Sequence, residues 1–411
     1  MQTSASFRTV RRLALGSLLV ILWIVAGSAA AAHARRPKPP RVPFGFFGTV
    51  LGDPVFPSMA QDSELGTQLD LMVSSGVEGV RVVFDWASAQ PYQSWSQVPS
   101  DQAGNFTDDG VDNTPTDFTA LDSLMAQSAA RGLRVLPVLV GAPTWDGAMY
   151  DHAVLRIPVN DAPYAAFCRA LVLRYGPHGS FWRTHSPALP ITAWQVWNEP
   201  NVPAFWPPQP FASRYVALLR AARKAIRSAD RHALIVLAGL ANYSWTALRQ
   251  IYHVHGARSL FDIVGLHPYT KTPQGVIVIL SRARNVMRLA GDARKPMLAD
   301  EISWPSSLGK TVHDTGYDFA TTEAGQARNV AAVLPLLAAD RVKLGLIGVY
   351  YYTWATQEVP NGLAFDFAGL LREDGTGFTA KPALKAYASA ALKLERCRVK
   401  GPVAPACLHP Y

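Results

Sequence analysis

The sequence predicts an α/β fold, a single-domain (β/α)8 TIM barrel spanning residues 44–395. Short β-rich runs alternate with helical patterns along the chain, which is typical of a parallel sheet covered by helices. Several of the runs are apolar at successive positions, as strands buried on both faces are. With 49% hydrophobic and 17% charged residues among 411, the composition suits a large core.

Eight strand-helix pairs follow in order, and each strand is predicted from its apolar, β-branched run. The strands are expected at 44–50, 77–84, 133–140, 191–197, 233–239, 262–266, 295–301 and 345–354. The helices are expected at 62–75, 117–131, 163–175, 211–230, from about 245, at 274–289, 322–339 and 381–394. Asp161 is expected to cap the third helix. The loops after strands two, three, four and seven are the longest.

The N-terminal residues 1–34 have the pattern of a secretory signal peptide. Three arginines precede the apolar stretch 13–26, and Ala32-His33-Ala34 offers a cleavage site. We therefore expect a secreted protein with no membrane attachment after cleavage, and an uncleaved anchor is the alternative. Residues 35–43 are basic and proline-rich, which predicts an extended spacer.

The three cysteines have different expected roles. Cys397 and Cys407 bracket a proline-containing loop in the tail, residues 396–411, and in an exported protein they are candidates for a disulfide. Cys168 lies on an apolar helical face, so we expect a buried thiol rather than a nucleophile.

Two glutamates end strands that are distant in sequence. Glu199 closes the segment ITAWQVWNEPN, and Glu301 closes KPMLADE before Ile302-Ser303-Trp304-Pro305. A carboxylate after one strand means little, but in a parallel barrel both would lie at the same C-terminal edge, where barrel enzymes place their chemistry.

At these two segments the chain resembles the retaining glycoside hydrolases of clan A, most closely family 39 and cellulase-type (family 5-like) members. The resemblance implies that Glu199 is the acid/base and Glu301 the nucleophile of β-glycoside hydrolysis on an oligo- or polysaccharide. It also implies that Asn198 binds the sugar 2-hydroxyl. The sugar, and the choice between internal and terminal cleavage, stay open.

Further candidate substrate-binding residues lie at other strand ends. Arg81 and Tyr269 are expected to support the ionised form of Glu301, and His267 to bond structurally or to substrate. Arg81 could instead neutralise Asp85, and the other two could cap strand six. Aromatic rings that could stack on sugars are Trp145, Trp304 and Trp354, with Trp354 as the floor of the cleaved sugar's subsite and Trp206 in an outer subsite.

Other function classes are weaker. His253 and His255 form an HxH pair, but it falls at a helix C-terminus, which suits the helix dipole better than a catalytic metal. We expect no metal and no cofactor. The net charge is +9, but the basic residues are scattered and the aromatic residues lie at strand ends, which is not the pattern typical of nucleic-acid binding. The alternatives are a transglycosylase on the same acids and a carbohydrate-binding barrel without turnover. We expect a monomer.

Overall fold

The computed structural model describes residues 41–313 and 317–411, and its main feature is a parallel barrel of eight strands. The signal segment therefore lies outside the described residues. The predicted fold class is confirmed. The strands, named β1 to β8, are Phe47–Leu51, Gly79–Asp85, Arg134–Val140, Ala193–Asn198, Leu234–Gly239, Val264–Leu266, Met297–Ile302 and Leu346–Tyr351.

Helices alternate with the barrel strands and cover the sheet. Those that follow each strand, named α1 to α8, are Ser63–Ser74, Thr119–Ala130, Asp161–Tyr175, Ala212–Ala229, Ser244–His253, Pro273–Leu289, Glu323–Leu344 and Pro382–Glu395. Asp161 is the first residue of α3 and pairs with Arg214, while Asn160 occupies the cap position. The predicted cap at Asp161 is therefore wrong by one residue.

The barrel closes between β5 and β6. Ladder pairing runs through β6, β7, β8, β1, β2, β3, β4 and β5, and parallel bridges from Val236 to Ile263 and from Leu240 to Leu266 join the remaining edges. The barrel interior holds a small apolar cluster of its own, separate from the larger core between sheet and helices; it contains Val50, Leu136, Val236, Ile263, Leu298 and Tyr350. All parallel strands thus end at one face, which places the residues after them together.

Short elements build the loops over that face and the remaining connections. A four-residue helix, Trp86–Ala89, follows β2. Small strands are Thr107–Asp108, Pro115–Thr116, Gly147–Ala148, Ile157–Pro158, Ala355–Gln357, Leu371–Glu373 and Phe378–Ala380. Single 3-10 turns are Trp95–Gln97, Ala103–Asn105, Ser180–Arg183, Ala257–Ser259 and Ala364–Phe367.

The ends of the barrel domain are tied together at its N-terminal face. Val42 is buried and its amide donates to Leu394 O, so packing begins two residues before the predicted start at Phe44. The tail forms two antiparallel strands, Cys397–Lys400 and Cys407–Pro410, and a disulfide joins Cys397 to Cys407. Cys168 is a buried free thiol. Among the helices of the described ranges, none has the length and apolar character that a membrane crossing needs.

A buried ion cluster fixes the tail, and it makes stability depend on pH. Lys400 Nζ lies 2.8 Å from Glu78 Oε1 and 2.7 Å from Glu395 Oε2. Burial and the charge of Glu78 raise the pKa of Glu395 to about 7. Folding therefore favours the protonated form of Glu395, and its contribution to the free energy of unfolding is lost as pH rises from about 4.5 through 7.

Glu395→Gln should remove this pH dependence, because the amide cannot ionise. We expect the melting temperature of the unmodified protein, relative to the variant, to be higher at pH 5 than at pH 8 in calorimetric scans. A difference between the two proteins that is constant or grows with pH would contradict the assigned proton.

Candidate active site

The two glutamates meet at the C-terminal face of the barrel. Glu199 follows β4 directly and Glu301 is the penultimate residue of β7, and both are buried, at 8% and 6% exposure. The backbone around Glu199 is strained, since Trp197 has φ +72° and Glu199 has φ +43°. Left-handed conformations at such residues cost on the order of 1–3 kcal/mol each and concentrate at functional sites.

The carboxylate of Glu301 is held by two donors. Arg81 Nη1, from β2, donates to Oε1 over 2.6 Å, and Tyr269 OH, just after β6, donates to Oε2 over 2.5 Å. Arg81 does not pair with Asp85, which instead accepts from the backbone amide of Ser88. Arg81 therefore contacts Glu301 and not Asp85.

Glu199 lies in a different electrostatic environment. Its Oε1 is 2.6 Å from His267 Nδ1, and the same nitrogen is 3.4 Å from Glu301 Oε2. Burial raises the pKa of Glu199, against the opposing influence of His267. Burial disfavours the imidazolium of His267, but Glu301 and Asp300 raise its pKa to about 10. Glu199 is thus buried beside the imidazole of His267, whereas Glu301 accepts hydrogen bonds from Arg81 and from the hydroxyl of Tyr269.

A cation could in principle use the same atoms. One oxygen of Glu199, one of Glu301 and one ring nitrogen of His267 all lie within 4.8 Å of one another. However, a His267 nitrogen at hydrogen-bond distance from a carboxylate carries a proton rather than a free lone pair. The guanidinium of Arg81 adds positive charge at the same point. The N–H groups of His267 and Arg81 at this point stabilise the two carboxyl groups and leave little room for a second positive charge from a metal ion.

Three further polar residues surround Arg81. Asn198 Oδ1 accepts from Arg81 Nη2 over 2.7 Å, which turns the Asn198 amide nitrogen toward other acceptors. Gln195 Oε1 accepts from Arg81 Nε over 2.8 Å, and Asp300 Oδ2 lies 3.6 Å from the same nitrogen. Gln195 and Asp300 were not predicted as site residues, although a polar residue at an inward position of a barrel strand is the signal that could have found them.

Three of the four tryptophans predicted to bind sugar are buried. Trp354 is fully buried and its Nε1 donates to Gln68 on α1, because β8 ends at Tyr351 and the chain then turns outward. Trp304 is 1% exposed and bonded to Thr270 O, and Trp206 packs on Trp197. None of these three rings has an exposed face in this structure, and their stacking on sugar stays a prediction. Trp145 is half-buried and donates to Gln90 O.

Tyr352 is the first residue after β8 and lies near the two glutamates. It packs on the barrel-interior cluster, and the charges of Glu301 and Glu199 add to burial in raising its pKa. Tyr352 and Phe365 also line a cavity of about 790 Å³ at the ends of β1, β2 and β8. The two glutamates do not line this cavity, but Phe365 packs against Tyr269, the partner of Glu301. The cavity therefore adjoins the acid pair.

Comparisons with known proteins support the fold. No family model and no curated protein matches the chain. The solved structures that match include a monomeric beta-xylosidase from Caulobacter crescentus CB15, with a TM-score of 0.58 and 20% identity over 86% of this chain and 69% of that one.

Two more are a family 39 glycoside hydrolase from Bacteroides cellulosilyticus WH2 and a GH53 catalytic domain from Ignisphaera aggregans. The first has a TM-score of 0.57 and 16% identity over 88% of this chain and 66% of that one, so this chain spans about two thirds of its length. The second has a TM-score of 0.53 and 20% identity over 85% and 97%. At these identities the likeness shows the fold, and the predicted resemblance to barrel glycoside hydrolases is confirmed at that level.

Proposed function

We propose that the protein is a secreted retaining β-glycoside hydrolase that cleaves an oligo- or polysaccharide by double displacement. The observation that carries the proposal is the pairing of Glu199 and Glu301, whose oxygens lie within 4.8 Å in contrasting environments. Retaining glycosidases keep their two carboxyl groups about 5–5.5 Å apart, whereas inverting enzymes need about 6.5–9.5 Å for a water molecule.

Glu199 is the acid/base in this proposal. Its raised pKa keeps a proton available for the departing glycosidic oxygen. The charge balance favours the same state, because Arg81 and His267 are balanced by Glu301 and Asp300 when Glu199 is neutral. After the leaving group departs, the ionised Glu199 takes a proton from the incoming water.

Glu301 is the nucleophile. Arg81 and Tyr269 each donate a hydrogen bond to one oxygen, which orients the carboxylate. Its attack on the anomeric carbon breaks the glycosidic bond and forms a glycosyl ester, which water then hydrolyses. Asn198, held by Arg81, would donate its amide to the sugar 2-hydroxyl, a contact that strengthens in the transition state.

The glycan chain would extend from the acid pair past Tyr352 into the 790 Å³ cavity. The cavity size suits a sugar unit or more, since ligand pockets commonly measure about 300–1,000 Å³. A transglycosylase would use the same acids with a sugar acceptor in place of water. A binding barrel without turnover is disfavoured by the burial of two acids side by side.

A glycoside screen tests the proposal. The secreted protein, purified as a monomer, is assayed on aryl α- and β-glycosides and on plant and bacterial polysaccharides, with Glu199→Gln/Glu301→Gln as the matched control. We expect release of reducing sugar from at least one β-linked substrate and none from the control. Binding of a glycan by both proteins with no turnover would favour the binding barrel instead.

A further inference from the structure

A layer of buried polar side chains lies directly beneath the two glutamates. It consists of Arg81 from β2, Gln195 from β4, His267 just after β6 and Asp300 from β7, and none is more than 3% exposed. Arg81 donates to Glu301, and His267 Nδ1 lies 2.6 Å from Glu199 and 3.4 Å from Glu301, so both acids contact these two cations. What holds the two cations relative to each other therefore sets the geometry of the acid pair.

Asp300 occupies the position between the two cations. Its Oδ2 lies 3.6 Å from Arg81 Nε and 3.6 Å from His267 Nε2, and it accepts from Gln195 Nε2 over 2.5 Å. Asp300 itself is fully buried, so it cannot touch substrate. Glu301 also lies within ion-pair distance of both Arg81 and His267, but it belongs to the acid pair, whereas Asp300 contacts the two cations from within the buried layer.

The neighbouring strands are shaped to accept this layer. A Cβ atom on Gly239 of β5 would lie 1.9 Å from His267 Nε2. One on Gly265 of β6 would lie 2.7 Å from Gln195 Nε2 and 2.8 Å from Asp300 Oδ2. Two strands thus carry glycine where any side chain would displace His267, Gln195 or Asp300.

The layer is not arranged for stability alone. Within the described ranges, Asp300 Oδ1 and His267 Nε2 are buried and have no hydrogen-bond partner. Leaving such atoms without a hydrogen-bond partner destabilises the folded state, because their hydration is lost and not replaced. Buried ion pairs are also weak stabilisers compared with apolar packing, because both charges lose their hydration. A buried charged layer that leaves two polar atoms without hydrogen-bond partners is easier to explain by function than by stability.

We propose that Asp300 is a positioning residue for the glycosidase reaction, which acts through Arg81 and His267 to fix the distance and orientation of the two glutamates. This inference rests on the proposed function. Asp300 supplies the negative charge that lets both cations be buried together. Other ionisable groups facing His267 are Glu199, Glu301, Arg81 and Tyr269, and Tyr350 faces Asp300.

Removing the charge of Asp300 should change the pKa of His267 and the relative positions of the two glutamates. In Asp300→Asn the shape is kept, but Arg81 and His267 lose their shared counter-charge, and the pKa of His267 should fall. The acids should shift relative to each other, and a misplacement near 1 Å can cost about 100-fold in rate. We expect kcat to fall about 100-fold with a smaller change in KM, since Asp300 makes no substrate contact.

The test combines kinetics with NMR titration of labelled histidines, with His267 assigned by the loss of its signal in His267→Asn. The matched control is Asp292→Asn, a buried aspartate between Arg258 and Lys295 before β7 at the opposite end of the barrel. We expect His267 to titrate well above its ordinary pKa in the unmodified protein and in the control, and at lower pH in Asp300→Asn, because Asp300 is one of the two charges that raise the pKa of His267.

Three results would overturn the inference. One is an unmodified protein in which His267 titrates near its ordinary value of about 6.5. Another is an Asp300→Asn variant with an unaltered His267 titration, and the third is one with unaltered kcat. If this variant does not fold, Asp300→Ser replaces it in the same measurements. The titration needs no substrate, so absence of any glycosidase activity would remove the proposed function without changing the NMR result.

Discussion

Glu301→Ala is expected to abolish hydrolysis, lowering kcat by at least about 10⁴-fold. Arg81 and Tyr269 would still be present, but no anion would face the anomeric carbon. Azide should restore activity, because it fits the space left by the carboxylate and attacks from the same face. The product of rescue on a β-glycoside should be the α-glycosyl azide, which thin-layer chromatography and NMR can identify.

Glu301→Gln is the matched control for that experiment. Its amide keeps the volume of the side chain, so we expect it to be as inactive as the alanine variant and to resist rescue by azide. Rescue in Glu199→Ala alone, or full activity in Glu301→Ala, would assign the nucleophile to another residue.

The second large effect is the dependence of Glu199→Ala on the leaving group. General acid catalysis contributes about 10²–10⁴-fold, and it is needed only when the departing oxygen is basic. We therefore expect a loss of that size in kcat/KM for alkyl or sugar leaving groups and a small loss for dinitrophenyl glycosides. The measurement is a plot of log kcat/KM against the pKa of the leaving group for the variant and the unmodified protein.

The slope of that plot decides the role of Glu199. A steep negative slope in the variant and a shallow one in the unmodified protein would fit a missing proton donor. Equal losses for good and poor leaving groups would contradict the assignment. His267→Asn offers a useful comparison, because it removes the 2.6 Å contact with Glu199 and leaves the carboxyl group in place.

The sequence was most informative about the strands and the two acids. Apolar runs and helix patterns placed all eight strand-helix pairs to within a few residues, because buried parallel strands have few alternatives to a hydrophobic run. The positions of Glu199 and Glu301 at strand ends followed from the same register. Closure of the barrel then brought Arg81, His267 and Tyr269 to them.

The aromatic residues were the weakest part of the prediction. A strand extended to residue 354 would have put Trp354 inside the barrel with Tyr350 and Tyr352, but β8 stops at Tyr351 and the ring turns toward Gln68. Sequence alone does not separate a tryptophan in the core from one in a cleft. Asp300 was missed for a related reason, since its importance depends on which cations lie across the barrel.

The stereochemistry of the first product distinguishes double displacement at Glu301 from direct attack by water. A β-glycoside substrate from the screen is incubated with a high concentration of protein, and the anomeric protons are followed by NMR before mutarotation. Two acids this close should act by double displacement, so we expect the β-anomer to appear first and the α-anomer to form later by mutarotation. Initial appearance of the α-anomer would mean a single displacement by water and would contradict the assignment of Glu301 as nucleophile.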